Sequence, residues 1–119
     1  MPEAVAPSGL VVRVAGVRWY IPAHGVIEVV RGAPVARVPM ADPAVLGLMN
    51  HRGRILPVAD PVRALELPGA SGGGRDLVVV EGGGHRFVVA TDAVIELVPE
   101  ARTGLAMLDL QRIAAAIFP

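Results

Sequence analysis

Residues 47–60 read GLMNHRGRILPVAD, and in this stretch two apolar segments lie on either side of a single glycine. Residues 48–52 and 54–58 are each the length of a short strand, and Gly53 supplies the backbone freedom that a tight turn requires. The stretch therefore predicts a β-hairpin with Gly53 in its turn.

Short β-branched and apolar segments also precede this hairpin, separated by Gly and Pro residues typical of turns. They predict strands over residues 10–14, 17–21, 26–30 and 35–38, of which the first two form a hairpin. Asp42 and Pro43 have the pattern of a helix N-cap followed by proline, so they predict one helical turn that runs through Leu46 and stops at Gly47. Residues 1–8 carry two prolines and a Ser-Gly step, and we expect them to form a flexible tail.

The same succession of short segments and turns continues after the hairpin. Asp60 and Pro61 repeat the cap-and-proline pattern and predict a second short helix. Residues 67–74 are rich in Pro, Gly and Ser, so they predict a linker, with a seam near 67–75 between two halves of a single domain spanning residues 9–119. Residues 77–80 and 86–90 predict a further hairpin around the glycines at 82–84, and its uniformly apolar strands imply burial on both faces. Strands are also predicted over residues 95–98 and 105–108, followed by a terminal helix over 110–117 with Asp109 as its N-cap.

The fold class follows from the number of short strands and the small number of helices. Such a pattern predicts a mainly β protein made of two small packed barrels, with short helical turns and a C-terminal helix. Hydrophobic residues make up 53% of the 119 residues but aromatic residues only 3%, so Val, Leu, Ile and Ala must fill the core. A chain of this length has room for one such core.

Charge and composition exclude several kinds of partner. The chain has no Lys, and its eleven Arg balance eleven Asp and Glu, so it lacks the basic surface that neutralises nucleic-acid phosphates. It has no Cys, hence no disulfide and no thiolate metal site. The N-terminus lacks a basic signal-peptide region, and no apolar run reaches membrane-spanning length. We therefore expect a cytoplasmic protein with no nucleic-acid partner and no membrane insertion.

Residues suited to catalysis or metal binding are few. His24, His51 and His85 have no second ligand at the short spacing used by zinc sites. The glycines at 72–74 lack the Lys and Ser or Thr that complete a phosphate-binding loop. His51 and Asp60 could form an acid–base pair, but turn residues on a hairpin are the favoured interpretation. We expect no catalytic residue, no metal and no cofactor.

Glu28 interrupts an otherwise apolar predicted strand. Two interpretations stay open from the sequence: Glu28 lies on the solvent face of an edge strand, or it is a polar contact for a partner.

Residues 47–60 closely resemble the signature of CheW-like domains, which consists of an apolar strand, Asn-x-Arg-Gly, and a second apolar strand with Pro-Val and Asp. Further segments occur in the order found in that family: Trp19-Tyr20-Ile21-Pro22, Val26-Ile27-Glu28-Val29, Val38-Pro39, residues 77–80, residues 88–94, and Leu108-Asp109-Leu110. The resemblance therefore covers most of the chain.

This resemblance implies two intertwined five-stranded barrels of SH3 type. It also implies a scaffold without catalytic activity that binds a CheA-type histidine kinase and the cytoplasmic tip of methyl-accepting chemoreceptors. The positions that match the family's functional regions are Val26, Glu28, Gly47, Arg52 and Gly53; these regions support the receptor groove between the barrels and the kinase-facing surface. Arg52 either braces the hairpin or contacts a partner directly.

The chain departs from the family pattern in three places. Residues 99–104 form a shorter segment than the family usually carries there, where an additional strand is common. We therefore expect an incomplete second barrel, and a homodimer formed through its open C-terminal edge. His51 occupies a position that is usually apolar, and Pro61 one that is usually leucine.

Three alternatives to a chemotaxis adaptor remain at this point. One is a divergent CheW-like scaffold serving pilus or surface motility. Another is a β-barrel that binds a small ligand, which requires a polar pocket between the halves. The third is an acid–base enzyme built on His51 and Asp60, whose turnover would disappear in His51→Ala.

Overall fold

Nine strands and two α-helices make up the described part of the chain, which in this computed structural model comprises residues 9–39, 41–70, 76–98 and 104–118. The strands are β1 Gly9–Val14, β2 Val17–Pro22, β3 Val26–Arg31, β4 Val45–His51, β5 Arg54–Ala59, β6 Asp76–Gly82, β7 His85–Thr91, β8 Ala93–Val98 and β9 Ala106–Met107. The helices are α1 Pro61–Ala64 and α2 Leu110–Ile117. The predicted tail, residues 71–75 of the predicted linker and most of the shortened segment 99–104 lie outside the described residues.

The strands form two sheets, one of four strands in the order β8-β1-β2-β9 and one of five strands in the order β3-β6-β7-β5-β4. The predicted mainly β fold with two barrel-like halves is confirmed. Each sheet takes strands from both sides of residues 67–75, because β1 pairs with β8 and β3 pairs with β6. The two halves of the sequence are therefore interwoven, while the seam near 67–75 stays a prediction.

All three predicted hairpins are confirmed, and their turns share one backbone geometry. Two consecutive residues with positive φ form each turn, namely Ala15-Gly16, Arg52-Gly53 and Gly83-Gly84. This is the geometry of two-residue turns whose twist matches that of the flanking strands, and glycine at the second position adopts it without steric cost.

The strand predicted over residues 35–38 is wrong, because the structure has only a single bridge there, between Ala36 and Leu48. Pro34 and Pro39 flank the segment, and neither has an N–H to contribute to a ladder. The segment therefore crosses the outer edge of β4 and pairs with it at one residue.

The helical turn predicted from Asp42 to Leu46 is also wrong. The Asp42 side chain accepts a hydrogen bond from the backbone N–H of Ala44 at 2.8 Å, and the Asp42 carbonyl accepts one from Val45 at 2.8 Å. These bonds close a turn, after which β4 begins because Val45 pairs with Ala59 and Gly47 with Val58 of β5, with Leu46 in a bulge between them. Gly47 consequently lies inside a strand.

The core forms on both faces of the β6–β7 hairpin, as its uniformly apolar strands predict. Val78, Val80, Phe87 and Val89 face the larger cluster, which also includes residues of β1 and α2. Leu77, Val79, Val88 and Ala90 face a second cluster inside the five-stranded sheet, together with Met49, Leu56 and Val58. The alternation follows from the two-residue period of a strand.

The predicted C-terminal helix is confirmed. Asp109 caps it by accepting a hydrogen bond from the backbone N–H of Arg112 at 3.0 Å, and Ile113 and Ala114 are buried against the core. The strand before it is shorter than predicted, since β9 covers only Ala106–Met107. The likewise predicted helix after Asp60 is α1, whose cap is a 3.0 Å hydrogen bond from Val62 N–H to Asp60.

Candidate functional site

The β4–β5 hairpin presents the signature residues at its turn. Arg52 and Gly53 have φ values of 52° and 83°, so both lie in the left-handed region. The side chain of Asn50 accepts a hydrogen bond from the backbone N–H of Gly53 at 2.9 Å. This hydrogen bond stabilises the turn. The Arg52 side chain takes no part in it and is 78% exposed.

An arginine at positive φ is uncommon, since Gly, Asn and Asp fill such turn positions at lower cost. The Ala15-Gly16 turn has the same backbone geometry with a side chain too short to make long-range contacts. The backbone alone therefore does not mark a site. What distinguishes Arg52 is the ion pair that it makes.

Glu28 lies between two cationic or hydrogen-bonding side chains of the hairpin. Its Oε1 atom is 2.7 Å from Nε2 of His51 and 3.1 Å from Nη2 of Arg52. Glu28 belongs to β3 and His51 to β4, the two outermost strands of the five-stranded sheet. The contact therefore joins the two edges of that sheet, and it places Glu28 on an edge strand and in a polar cluster at once.

The contact changes the acidity of Glu28. A hydrogen bond from His51 lowers the pKa of the Glu28 carboxyl below its usual value of 4.5, partial burial acts in the opposite direction, and the positive charge of Arg52 adds to the lowering. Glu28 is therefore ionised at neutral pH. An ionised carboxylate only accepts hydrogen bonds, so Nε2 of His51 must carry the hydrogen.

The other three predicted site residues have different surroundings. Val26 begins β3, pairs with Val80 and packs against the larger core cluster. Gly47 is buried in β4, where a β-carbon would collide with the backbone of Ala36. Gly53 faces open space and serves the turn. The structure thus brings Glu28 and Arg52 together, while Val26, Gly47 and Gly53 shape the strands that carry them.

Sequence reasoning missed His51, which it assigned to the turn. The residue is only 6% exposed and is one of three buried polar or charged side chains among the described residues. Its signal in the sequence is the departure from the family pattern noted above, a histidine at a position that is usually apolar.

A groove runs between β3 of one sheet and β8 of the other. It has a volume of about 390 Å³ and is lined by Leu10, Val29, Arg31 and residues 94–97. Asp76 contacts two of these residues: it accepts a hydrogen bond from Val94 N–H at 2.7 Å and faces Nε of Arg31 at 3.4 Å. The groove is therefore lined mainly by apolar side chains, with Arg31 and Glu96 as its charged residues.

Exposed apolar side chains lie close to both features. Leu97 at the groove is 64% exposed and Ile55, beside the hairpin turn, is 60% exposed. Ile27 in β3 is 39% exposed. Large apolar side chains exposed to solvent in this way are suited to covering by another protein.

The described residues contain no group of three or more His, Cys, Asp or Glu side chains arranged to hold a metal ion. His51 and Asp60, the residues of the acid–base alternative, have structural hydrogen bonds to Glu28 and to the N-terminus of α1. No helix in the described ranges is both long enough and apolar enough to cross a membrane.

Comparison with known proteins identifies a family model that matches residues 8–114, that of the CheW-like domain. The chain is 34% identical over 86 residues to Protein FrzA of Myxococcus xanthus, a match that covers 71% of this chain and 54% of FrzA. The chain thus spans about half the length of this curated relative.

Among solved structures, the fold matches that of the scaffolding protein TtCheW from Thermoanaerobacter tengcongensis. The TM-score is 0.67, and the match covers 88% of this chain and 77% of that one at 24% sequence identity. At this identity the likeness concerns the fold alone.

Proposed function

The chain belongs to the family of CheW-like domains, and from this premise we propose that it is a non-enzymatic cytoplasmic adaptor. It couples the cytoplasmic tip of chemoreceptors to a CheA-type histidine kinase in chemotaxis or related motility signalling. Such an adaptor needs two surfaces that bind different proteins at the same time.

The observation that carries this proposal is the open groove between β3 and β8. Its walls come from edge strands of two different sheets, and Val29, Ile95 and Leu97 give them an apolar character. A helical receptor tip that presents an apolar ridge would fit such a groove. Arg31 in the lining, with Asp76 beside it, would restrict which charges the ridge can carry.

The β4–β5 hairpin supplies the second surface, which we assign to the kinase. The ion pair with Glu28 uses only Nη2 of Arg52, and guanidinium groups have five N–H donors, so other donors are available for a partner's carboxylate. Ile55 adds an exposed apolar side chain next to it. Arginine is enriched among the residues that contribute most to binding at protein interfaces.

The two surfaces share one strand. Within β3, Glu28 contacts the hairpin while the next residue, Val29, lines the groove. Successive side chains of a strand point to opposite faces, so β3 connects the two proposed binding sites directly. This arrangement supports a coupling role better than binding of a single small ligand.

We also propose that a second copy of the chain pairs with β8 when no receptor tip occupies the groove. This strand is an outermost strand of the four-stranded sheet, and Leu97 on it is exposed. Edge strands of this kind recruit a further strand unless they are covered. Light scattering during size-exclusion chromatography tests the dimer, and a monomer at high concentration would exclude it.

The coupling function is tested by a three-component assembly. A fragment of the receptor tip is immobilised, and the CheA-type kinase from the same genome is added with or without this protein. We expect retention of the kinase to depend on the protein. If the same amount of kinase is retained when this protein is absent, the adaptor role is contradicted. If this protein binds neither the receptor tip nor the kinase, a ligand-binding barrel is favoured.

A further inference from the structure

His51 is the most buried of the three residues in the cluster that it forms with Glu28 and Arg52. Its side chain is 7% exposed, whereas that of Glu28 is 35% exposed and that of Arg52 is 78% exposed. It ends β4, where its backbone pairs with Arg54 across the hairpin. A buried ring at the end of a paired strand has little rotational freedom, so its Nε2 atom is a fixed hydrogen-bond donor.

This donor acts on a carboxylate that otherwise has few restraints. Glu28 lies on the edge strand β3, and among the described residues no backbone ladder joins β3 to β4. The 2.7 Å hydrogen bond from His51 therefore fixes the Glu28 side chain across the gap between the two strands. His51 Nε2 and Arg52 Nη2 both meet the same oxygen atom, Oε1.

Arg52 depends on this restraint. Exposed ion pairs contribute little stability because two long side chains both lose conformational freedom when they pair. When Glu28 is already fixed by His51, only Arg52 loses freedom. The guanidinium is then ordered at the turn without having to order its own partner.

We propose that His51 is a positioning residue that fixes the Glu28 carboxylate and, through it, orders the Arg52 guanidinium for binding to the kinase. The ordering of Arg52 by His51 does not depend on the proposed function, whereas its effect on kinase binding rests on that function. The apolar residue usual at this position has no hydrogen-bond donor, so the hydrogen bond to Glu28 is a feature of this chain.

Two substitutions separate hydrogen bonding from shape. In His51→Gln the amide nitrogen comes close to the position of Nε2, whereas in His51→Asn the shorter side chain stops before it. His51→Leu restores the usual apolar character without a donor. His24→Leu, at an exposed histidine of the 3-10 turn Ala23–Gly25, is the matched control.

The first readout uses the free protein. The side-chain Nε–H signal of Arg52 in ¹⁵N NMR, assigned by its absence in Arg52→Ala, reports whether the guanidinium is ordered. We expect an ordered signal in the wild type, His51→Gln and His24→Leu, and a mobile one in His51→Leu and His51→Asn. An ordered signal in all of them would overturn the proposal, whether or not any partner binds.

The second readout is the dissociation constant for the isolated regulatory domain of the CheA-type kinase from the same genome. We expect His51→Leu and His51→Asn to weaken binding about threefold to tenfold, and His51→Gln to change it less than about twofold. In an Arg52→Ala background, His51→Leu should have no additional effect. Additive losses would show that His51 acts independently of Arg52 and would overturn the proposal.

The two readouts also distinguish the inference from the function on which it rests. If the wild type does not bind the kinase domain, the proposed function is wrong, while the NMR result still decides whether His51 orders Arg52. Circular dichroism confirms that each variant is folded.

Discussion

The Oε1 atom of Glu28 accepts a hydrogen bond of 2.7 Å from Nε2 of His51, and this contact joins the two outermost strands of the five-stranded sheet. Those strands are next to each other in the barrel-like half but share no backbone ladder among the described residues. A side-chain hydrogen bond thus connects β3 and β4 where no backbone hydrogen bonds in the described part of the chain do. Arg52 meets the same oxygen, so the residue that we propose to bind the kinase belongs to this cluster.

The first prediction concerns the pH dependence of stability. The folded state lowers the pKa of Glu28, so its carboxylate stabilises the protein above the unfolded-state value of 4.5, and this contribution is lost as the pH falls through the lower folded-state value. Glu28→Gln should therefore be less stable than the wild type at pH 7. The difference should shrink as the pH approaches 3, measured as the free energy of unfolding in urea.

Glu66→Gln is the control for this experiment, because Glu66 is an exposed residue after α1. Its difference from the wild type reports the effect of removing a carboxylate outside the cluster. A Glu28→Gln deficit that is the same at pH 3 and pH 7 would show that the charge of Glu28 does not matter.

The second prediction concerns Gly47. A β-carbon at this position would meet the backbone of Ala36, which crosses β4 and forms a bridge to Leu48. We expect Gly47→Ala to lower the free energy of unfolding by about 1–3 kcal/mol, the usual cost of overpacking a close-packed position.

Gly53→Ala provides the comparison for Gly47→Ala. A β-carbon at Gly53 meets nothing within 4 Å, so the only cost is the positive φ of 83°, on the order of 1 kcal/mol. If Gly47→Ala is no more destabilising than Gly53→Ala, the close approach of residues 36 and 47 is not a constraint on the fold.

The third prediction concerns the cap of α2. Asp109 accepts a hydrogen bond from Arg112 N–H, and its loss leaves a helix N-terminal donor without a side-chain partner. Asp109→Ala should lower stability by about 1 kcal/mol, and Asp109→Asn, which preserves the cap, by much less. Thermal unfolding followed by circular dichroism distinguishes the two, and equal losses would assign the effect to charge instead of capping.

The fourth prediction tests the groove. Leu97→Glu places a charge among the apolar walls and should weaken binding of the receptor-tip fragment at least about tenfold, because burying an unpaired carboxylate is costly. Val17→Glu is the matched control, since Val17 is 51% exposed on β2 and does not line the groove. Similar losses in both variants, measured by isothermal titration, would remove the groove as the receptor site.

Much of the fold could be predicted from local sequence because local chemistry determines it. Gly53 and the other turn glycines specify the hairpins, and the uniformly apolar strands β6 and β7 are buried on both faces as expected. Local patterns do not suffice where the same Asp-Pro pattern leads to two different structures. Asp60-Pro61 begins a helix, whereas Asp42-Pro43 precedes a strand because Val45 and Gly47 find partners in β5.

The candidate site was predicted only in part, for a related reason. The signature identifies Arg52, and the polar interruption at Glu28 was visible in the sequence, but nothing local indicates that the two meet. His51 and Glu28 are 23 residues apart and belong to strands that become opposite edges of one sheet. Such a contact depends on the order of strands in the sheet, which short patterns do not specify.

We propose that the hairpin around Arg52 binds a CheA-type histidine kinase. The most direct measurement is the calorimetric titration of the kinase regulatory domain from the same genome into the wild type, Arg52→Ala and the control Arg18→Ala, an exposed arginine on β2. We predict micromolar or tighter binding that is weakened at least about tenfold by Arg52→Ala and unchanged by Arg18→Ala. Equal affinities for all three folded proteins, or no binding by the wild type, would contradict the claim.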